Sequence, residues 1–369
     1  MKVLVVTEAG DAWPSGKIRA LIYKELFRKY GDSVRYMSRL VPALSRLLSG
    51  SNRLARILFL RFGIGRVLNR FNLFLARINE RRVLLAAKSY DVVYLQKITS
   101  WQLVSALAKS RSPRLVYDLN DGLWLPSREE LTGGRISDIL STVDGVTCDN
   151  QYGLAYARQF NKNCHLVPDP AQVDLFDRRR DTKVRDRSGI TLGWIGSPAT
   201  LFNLFVIWEP LERLFSKIEN VTLRIVGAGE NVSSLPRFEK VKFSLKPYYT
   251  QEEMVEEVLG MDIGLFPLFE VEDSLARGIL KAAIYMSGEA AVVCSPIGQC
   301  IDLIHDGING MLAKSSTEWT EKLELLITDS ALRQRITNAG LETVRSTFSL
   351  ERCFGSLHSA LESGSLTTN

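Results

Sequence analysis

Lys2-Val-Leu-Val-Val-Thr7, then Gly10-Asp-Ala-Trp-Pro-Ser-Gly16, then residues 17–30, then Val34-Arg-Tyr-Met-Ser38 stand in sequence at the start of the chain. The first stretch is β-branched and apolar on both faces, the pattern of a strand buried in a parallel sheet. A loop rich in Gly, Pro and Ser follows, and a helical pattern over 17–30 stops at Gly31. The last stretch reads as a second strand. This strand-loop-helix-strand order predicts a doubly wound α/β sheet. Working outward, residues 40–88 read as helical, with Gly63 and Gly65 dividing two helices. Further strands are predicted at 91–97, 114–121, 145–148 and 164–168, with a helix at about 100–110. From Asp177 to Arg187 almost every residue is charged, and Ser188 and Gly189 follow, so 177–189 reads as a linker. A second α/β series then begins, with strands predicted at 190–196, 222–227, 241–243, 262–266 and 291–295. The expectation is two doubly wound domains in tandem, at 1–176 and 190–345. The helix at 346–369 is expected to pack back toward the first domain.

A length of 369 residues supports two cores. With 46% hydrophobic and 24% charged residues, the composition excludes disordered, collagenous and disulfide-scaffold classes. No eighteen-residue apolar run is present, and Glu8 and Asp11 stand where a signal peptide needs apolar residues, which predicts a cytoplasmic protein. The five cysteines are scattered without CxxC spacing and only three histidines occur, so neither a disulfide framework nor a metal site is expected. The net charge of +6 is unevenly spread. Residues 39–82 carry ten arginines against Glu80 alone, a local +9 that leaves the rest of the chain at −3. Arginine on one side of a helix with Leu, Ile and Phe on the other suits a helix lying on an anionic membrane surface, with Arg53, Arg56, Arg61, Arg66 and Arg70 as the contacts. A solvated helix face is the other reading. Aromatic interleaving is lacking, so nucleic acid is not an expected partner.

Several stretches, in order along the chain, carry a resemblance. They are Asp91-Val-Val-Tyr-Leu-Gln-Lys97, Val116-Tyr-Asp-Leu-Asn-Asp-Gly-Leu-Trp124, Val167-Pro-Asp-Pro-Ala-Gln-Val-Asp-Leu-Phe176 and Leu192-Gly-Trp-Ile-Gly-Ser-Pro-Ala-Thr200. Asp262-Ile-Gly-Leu-Phe-Pro267, Lys281, Tyr285-Met286, Val292-Val-Cys-Ser-Pro-Ile-Gly298 and Asp306-Gly-Ile-Asn-Gly310 continue the series. Together they resemble the retaining glycosyltransferases of family 4 (glycosyl transferases group 1). That resemblance implies two Rossmann-like domains facing each other across a cleft, the GT-B architecture. It implies a nucleotide-sugar donor as substrate, a glycan or lipid-linked acceptor, no metal or other cofactor, and hexosyl transfer in bacterial envelope polysaccharide or lipopolysaccharide synthesis. A place on the inner face of the cytoplasmic membrane would suit such an acceptor.

Glycosyl transfer places growing negative charge on the departing diphosphate, which fixed cations stabilise. By the resemblance, Gly196, Ser197 and Thr200 approach the donor phosphate, joined by Pro296 and Gly298, while Tyr248 lies near the nucleobase. Arg and Lys, common in the first of these loops, are absent here, which moves the cationic duty to Arg277 and Lys281. The paired-glutamate signature is not intact, since its positions fall near Ala276 and Ile284. Glu272 and Asp273 could serve only in a shifted register. On the acceptor side stand Ser15, Gly16, Asp118 and Asp121, each with a helix-capping alternative. A non-catalytic GT-B-like protein that binds glycan or a partner at the membrane remains the second reading. A sugar-nucleotide epimerase is disfavoured because His165, His305 and His358 do not sit in suitable strand-end loops.

Overall fold

A computed structural model describes residues 1–48, 64–110, 113–180, 189–229, 235, 242–246 and 250–363. The chain divides into two compact units, one of Met1–Asp169 with Cys353–Asn369 and one of Pro170–Arg352. Residues 173–180, placed by the sequence in the first domain and linker, form a helix whose Phe176 is buried in the second unit's core. Residues 181–188 lie outside the described residues.

The first unit is built on six parallel strands: β1 (Lys2–Thr7), β2 (Ser33–Ser38), β3 (Val92–Gln96), β4 (Arg114–Leu119), β5 (Gly145–Cys148) and β6 (Cys164–Leu166). Their order is β2-β1-β3-β4-β5-β6. Strand β1 is buried from Val3 onward and pairs in parallel with β2 on one side and β3 on the other. The winding therefore reverses between β1 and β3, where an open α/β sheet leaves a crevice at the strands' carboxyl ends. The helix expected over 17–30 is broken into Pro14–Arg19, a 3-10 turn at Leu21–Tyr23, and Lys24–Lys29. Ala20, at φ −133°, leaves helical geometry directly after Arg19, whose guanidinium is committed to the core. A helix begins at Ile64, at the expected glycine pair, and runs to Ala87 with Gly65 in its first turn; Gly63 falls outside the described residues. From Cys353 onward the helix Leu350–Glu362 belongs to this unit, with Phe354 packed edge-on against Phe27 at 4.9 Å.

The second unit repeats the plan with β7 (Ile190–Ile195), β8 (Val221–Val226), β9 (Lys242–Lys246), β10 (Ile263–Phe266), β11 (Ala291–Cys294) and β12 (Met311–Leu312), the last not anticipated from sequence. The order β12-β11-β10-β7-β8-β9 puts its reversal between β7 and β10. These two strands pair only at Ile263 with Leu192 and Gly264 with Gly193. Beyond that the hydroxyl of Tyr285 enters, accepting from Ile195 N at 2.7 Å and donating to Leu265 O at 3.2 Å. Gly264 permits this, since a Cβ there would lie 2.3 Å from the Tyr285 ring. Tyr285→Phe leaves the buried amide of Ile195 without a partner. It is expected to destabilise the second unit by about 1–3 kcal/mol, measured as a shift of its urea midpoint.

Candidate active site

In the second unit the loops after β7, β10 and β11 meet at the sheet's reversal point. They are tied by polar contacts: Leu268 N donates to Ser295 Oγ (2.9 Å), Phe269 N to Asn203 Oδ1 (3.3 Å) and Ile279 N to Gln299 Oε1 (2.9 Å). Gly298 sits at φ +56° against the Ser274 and Leu275 carbonyls, where a Cβ would come within 3.1 Å of both oxygens. That position therefore requires glycine. Pro296 is half-buried in the same loop.

Lys281, in the helix Leu280–Ser287, is the centre of this site. Its ammonium donates to Thr200 Oγ1 at 3.2 Å and lies 5.3 Å from the centre of the buried Trp194 ring. The Thr200 hydroxyl also accepts from Ser197 N (3.0 Å) and donates to Ser197 O (3.1 Å). Its bonding capacity is thus spent on shaping the loop and holding the lysine. Gly196 is small for a related reason, because a Cβ there would lie 2.2 Å from the Trp194 ring and 2.8 Å from Thr200 Oγ1. Ser197 is exposed beside them. The structure thus gathers Gly196, Ser197, Thr200 and Lys281, proposed from separate parts of the sequence. Tyr248 lies outside the described residues.

Burial pushes the Lys281 ammonium down to about 7, and the like charge of half-buried Arg277 adds to the depression. Near neutral pH the lysine is therefore divided between charged and neutral forms. An incoming diphosphate restores the charge, so nucleotide binding is expected to take up about half a proton near pH 7 and to weaken at higher pH. Calorimetric titration in buffers of different ionisation heat measures this uptake; identical heats in every buffer would rule it out. Glu272 and Asp273 open the short helix Glu272–Leu275, the first exposed and the second half-buried. Ala276 is buried and Ile284 packs on the core, so both positions of the expected glutamate pair are apolar.

The first unit treats its candidates differently. Asp118, read as able to orient an acceptor hydroxyl, is 0% exposed. Arg19 holds both its oxygens, Nε to Oδ2 at 2.7 Å and Nη2 to Oδ1 at 2.6 Å, and Thr147 Oγ1 donates to Oδ1 at 2.7 Å. It is a core ion pair and meets no acceptor. Arg19 also reaches Val167 O and Asp169. Nearby, burial pushes the Asp149 carboxyl up to about 8, with Arg19 opposing the shift. Ser15 does not cap a helix, since it lies one residue into Pro14–Arg19 behind the N-cap residue Trp13. Gly16 packs on the Gly10 carbonyl, where a Cβ would approach to 2.1 Å. Asp121 is accessible, at φ +56°, and pairs with Lys97, whose ammonium lies 5.7 Å over the Trp13 ring.

Sequence reasoning gave no role to Arg19, Trp194, Asn203 or Tyr285. A visible signal existed for Arg19, a lone cation among Ile18, Ala20, Leu21 and Ile22. Also missed was a cavity of about 440 Å³ in the first unit, at the reversal point of its sheet. Glu8, Arg39 and Thr99, following β1, β2 and β3, form its polar part, and Trp13, Asn69 and Leu73 also line it. Arg39 holds Glu8 through both oxygens, and Thr99 donates to the same carboxylate. Of the membrane-surface candidates, Arg66 and Arg70 are exposed on the helix Ile64–Ala87, and Arg53, Arg56 and Arg61 lie outside the described residues. Among the described residues no cluster of three His, Cys, Asp or Glu could hold a metal, and no helix is long and apolar enough to cross a membrane.

Residues 190–329 match the family model described as glycosyl transferases group 1. No curated protein matches the chain by sequence. Among solved structures, HepE of Anabaena in complex with UDP-glucose is similar at 15% identity, covering 98% of this chain and 100% of that one with a TM-score of 0.65. A glycosyltransferase from Rickettsia africae is similar at 14% identity, with coverage of 100% and 99% and a TM-score of 0.67. Sucrose-phosphate synthase of Thermosynechococcus elongatus is similar at 14% identity, with coverage of 98% and 99% and a TM-score of 0.66. At these identities the likeness establishes the fold. The second unit thus contains the stretch that matches the group 1 glycosyl transferases, and the chain as a whole has the GT-B fold.

Proposed function

We propose that this protein transfers a hexose, with retention and without a metal, from a nucleoside diphosphate sugar to a glycan or lipid-linked acceptor. The observation that carries the reading is the Lys281 ammonium, poised by Thr200 and Trp194 at the reversal point of the sheet within the matched region. As the bond from the anomeric carbon to the diphosphate oxygen breaks, that oxygen gains negative charge. Lys281 and Arg277 offset it. The acceptor hydroxyl oxygen bonds to the anomeric carbon on the same face, and its proton passes to the departing phosphate. The HepE complex with UDP-glucose supports a donor of this class.

The setting we infer is bacterial envelope polysaccharide synthesis at the inner face of the cytoplasmic membrane. Its support is the helix Ile64–Ala87, which exposes Val67, Phe71, Phe74, Ile78 and Leu85 together with Arg66 and Arg70. A non-catalytic role in glycan or partner binding is the alternative, favoured by the apolar residues Ala276 and Ile284 at the glutamate positions. A thermal-shift panel with UDP, GDP, ADP and dTDP, with and without EDTA, separates the two. A rise of several degrees with one nucleotide that survives EDTA supports the transferase and names the base. No rise with any nucleotide, or a rise abolished by EDTA, counts against it.

A further inference from the structure

We propose that the Lys281 amine is a site of reversible modification by carbon dioxide, and that the carbamate so formed shuts diphosphate out of the site. The inference rests on the glycosyltransferase reading above and adds to it a means of regulation.

The surroundings of Lys281 hold no counter-charge. Among the described residues no carboxylate pairs with it; its ammonium donates to the neutral Thr200 hydroxyl and lies 5.3 Å from the centre of the Trp194 ring. Arg277, the charged group that acts on its titration, is a second cation. A lysine set against an apolar wall and beside another cation is an activated nucleophile. Its side chain is half-buried, which leaves the nitrogen open to a molecule as small as CO2. The other described amines differ. The Met1 ammonium donates to Asp32 at 2.7 Å, Lys97, Lys246 and Lys322 pair with Asp121, Glu253 and Asp306, and Lys88 and Lys162 are exposed to water. Such groups stay protonated near neutral pH and have no lone pair to offer.

The reaction needs CO2 alone. The lone pair of neutral Nζ bonds to the carbon of CO2, one π pair of a C=O moves onto its oxygen, and the nitrogen releases one proton to water. The product, R–NH–COO⁻, keeps an N–H for Thr200 Oγ1. Its new carboxylate falls within the field of Arg277, so the guanidinium that disfavours the ammonium favours the carbamate. A negative charge then stands where the departing diphosphate gathers its own. CO2 and diphosphate therefore exclude one another, and each weakens the other by the same factor. Because the carbamate forms from the neutral amine, it gains with pH at constant dissolved CO2, whereas diphosphate binding weakens.

The test equilibrates the full-length protein with isotope-labelled CO2, traps carbamates by alkylating their oxygens, and locates the label by peptide mass. Lys281 is expected to carry at least about tenfold more label than exposed Lys88 and Lys162, since an ordinary lysine is almost wholly protonated near pH 7. The label should rise several-fold between about pH 6 and pH 8, and excess inorganic pyrophosphate should suppress it. R277Q should lower it several-fold at Lys281 and leave Lys88 and Lys162 unchanged, because the variant both favours the ammonium and removes the carbamate's cation. Label on Lys281 no greater than on Lys88 and Lys162 overturns the proposal. Nucleotide thermal shifts in CO2-free buffer keep the two questions apart. Their absence refutes the transferase reading, whereas shifts intact with no excess label on Lys281, or with label that pyrophosphate does not reduce, refute this one.

Discussion

Lys281→Met is expected to lower kcat for sugar transfer by about two to three orders of magnitude, the usual loss when a fixed charge-stabilising donor is removed. KM for the donor should change much less. The interaction strengthens as the diphosphate departs, so its loss appears mainly in kcat. Methionine is close in size and keeps the packing against Trp194. It removes a cation whose burial is unfavourable, as its value of about 7 reflects, together with one hydrogen bond to Thr200, so only a small change in stability is expected. The lysine's ordinary value is 10.5, and between about 7 and that value the unfolded chain holds more protons than the folded one. Its contribution to stability therefore rises with pH through this window, and the substitution removes that slope. Steady-state kinetics and a thermal midpoint measured at pH 7 together provide the check. An unchanged kcat removes Lys281 from the reaction, and a large fall in the midpoint would make it a structural residue.

Arg19→Met is expected to cost the first unit about 3–5 kcal/mol, the loss that follows when one partner of a buried ion pair is removed. Asp118 and Asp169 lose their cation, and Asp149, already held up to about 8, loses the charge that opposed its shift. Calorimetry should show a transition moved down by many degrees, with nucleotide thermal shifts in the second unit preserved. The pH dependence has a definite sign. The folded chain keeps the Asp149 proton to about pH 8, whereas an ordinary aspartate releases it near 3.8. Between those values the folded chain binds more protons, so the first unit loses stability as pH rises. The variant should lose more over the same window. A double variant, Arg19→Met with Asp118→Leu, should recover part of the loss, because well-packed apolar groups can replace a buried ion pair. A single variant as stable as the wild type would show that the Arg19 cluster contributes little.

Two parallel sheets were legible in the sequence. Apolar runs such as Val3-Leu-Val-Val6 and Val92-Val-Tyr-Leu95 are buried on both sides of a parallel strand, and that demand is local. Short β12, only Met311–Leu312, gave no such run. The loop of Gly196 to Thr200 and the cation Lys281 were singled out in the sequence through the family resemblance, not through a local pattern of their own. Their meeting was not legible. Thr200 and Lys281 are 81 positions apart and touch only because β10 lies beside β7. Sheet order likewise turned Asp118 from a candidate ligand into half of an ion pair with Arg19, 99 positions away. It also let the Tyr285 hydroxyl into the gap where β7 and β10 part. The sequence by itself determined which segments become strands and which residues carry charge, since both follow from side-chain chemistry and its period along the chain. Only the tertiary structure decided which polar groups are spent holding the fold and which face a ligand. That depends on partners brought from distant positions, and on how much water remains around them.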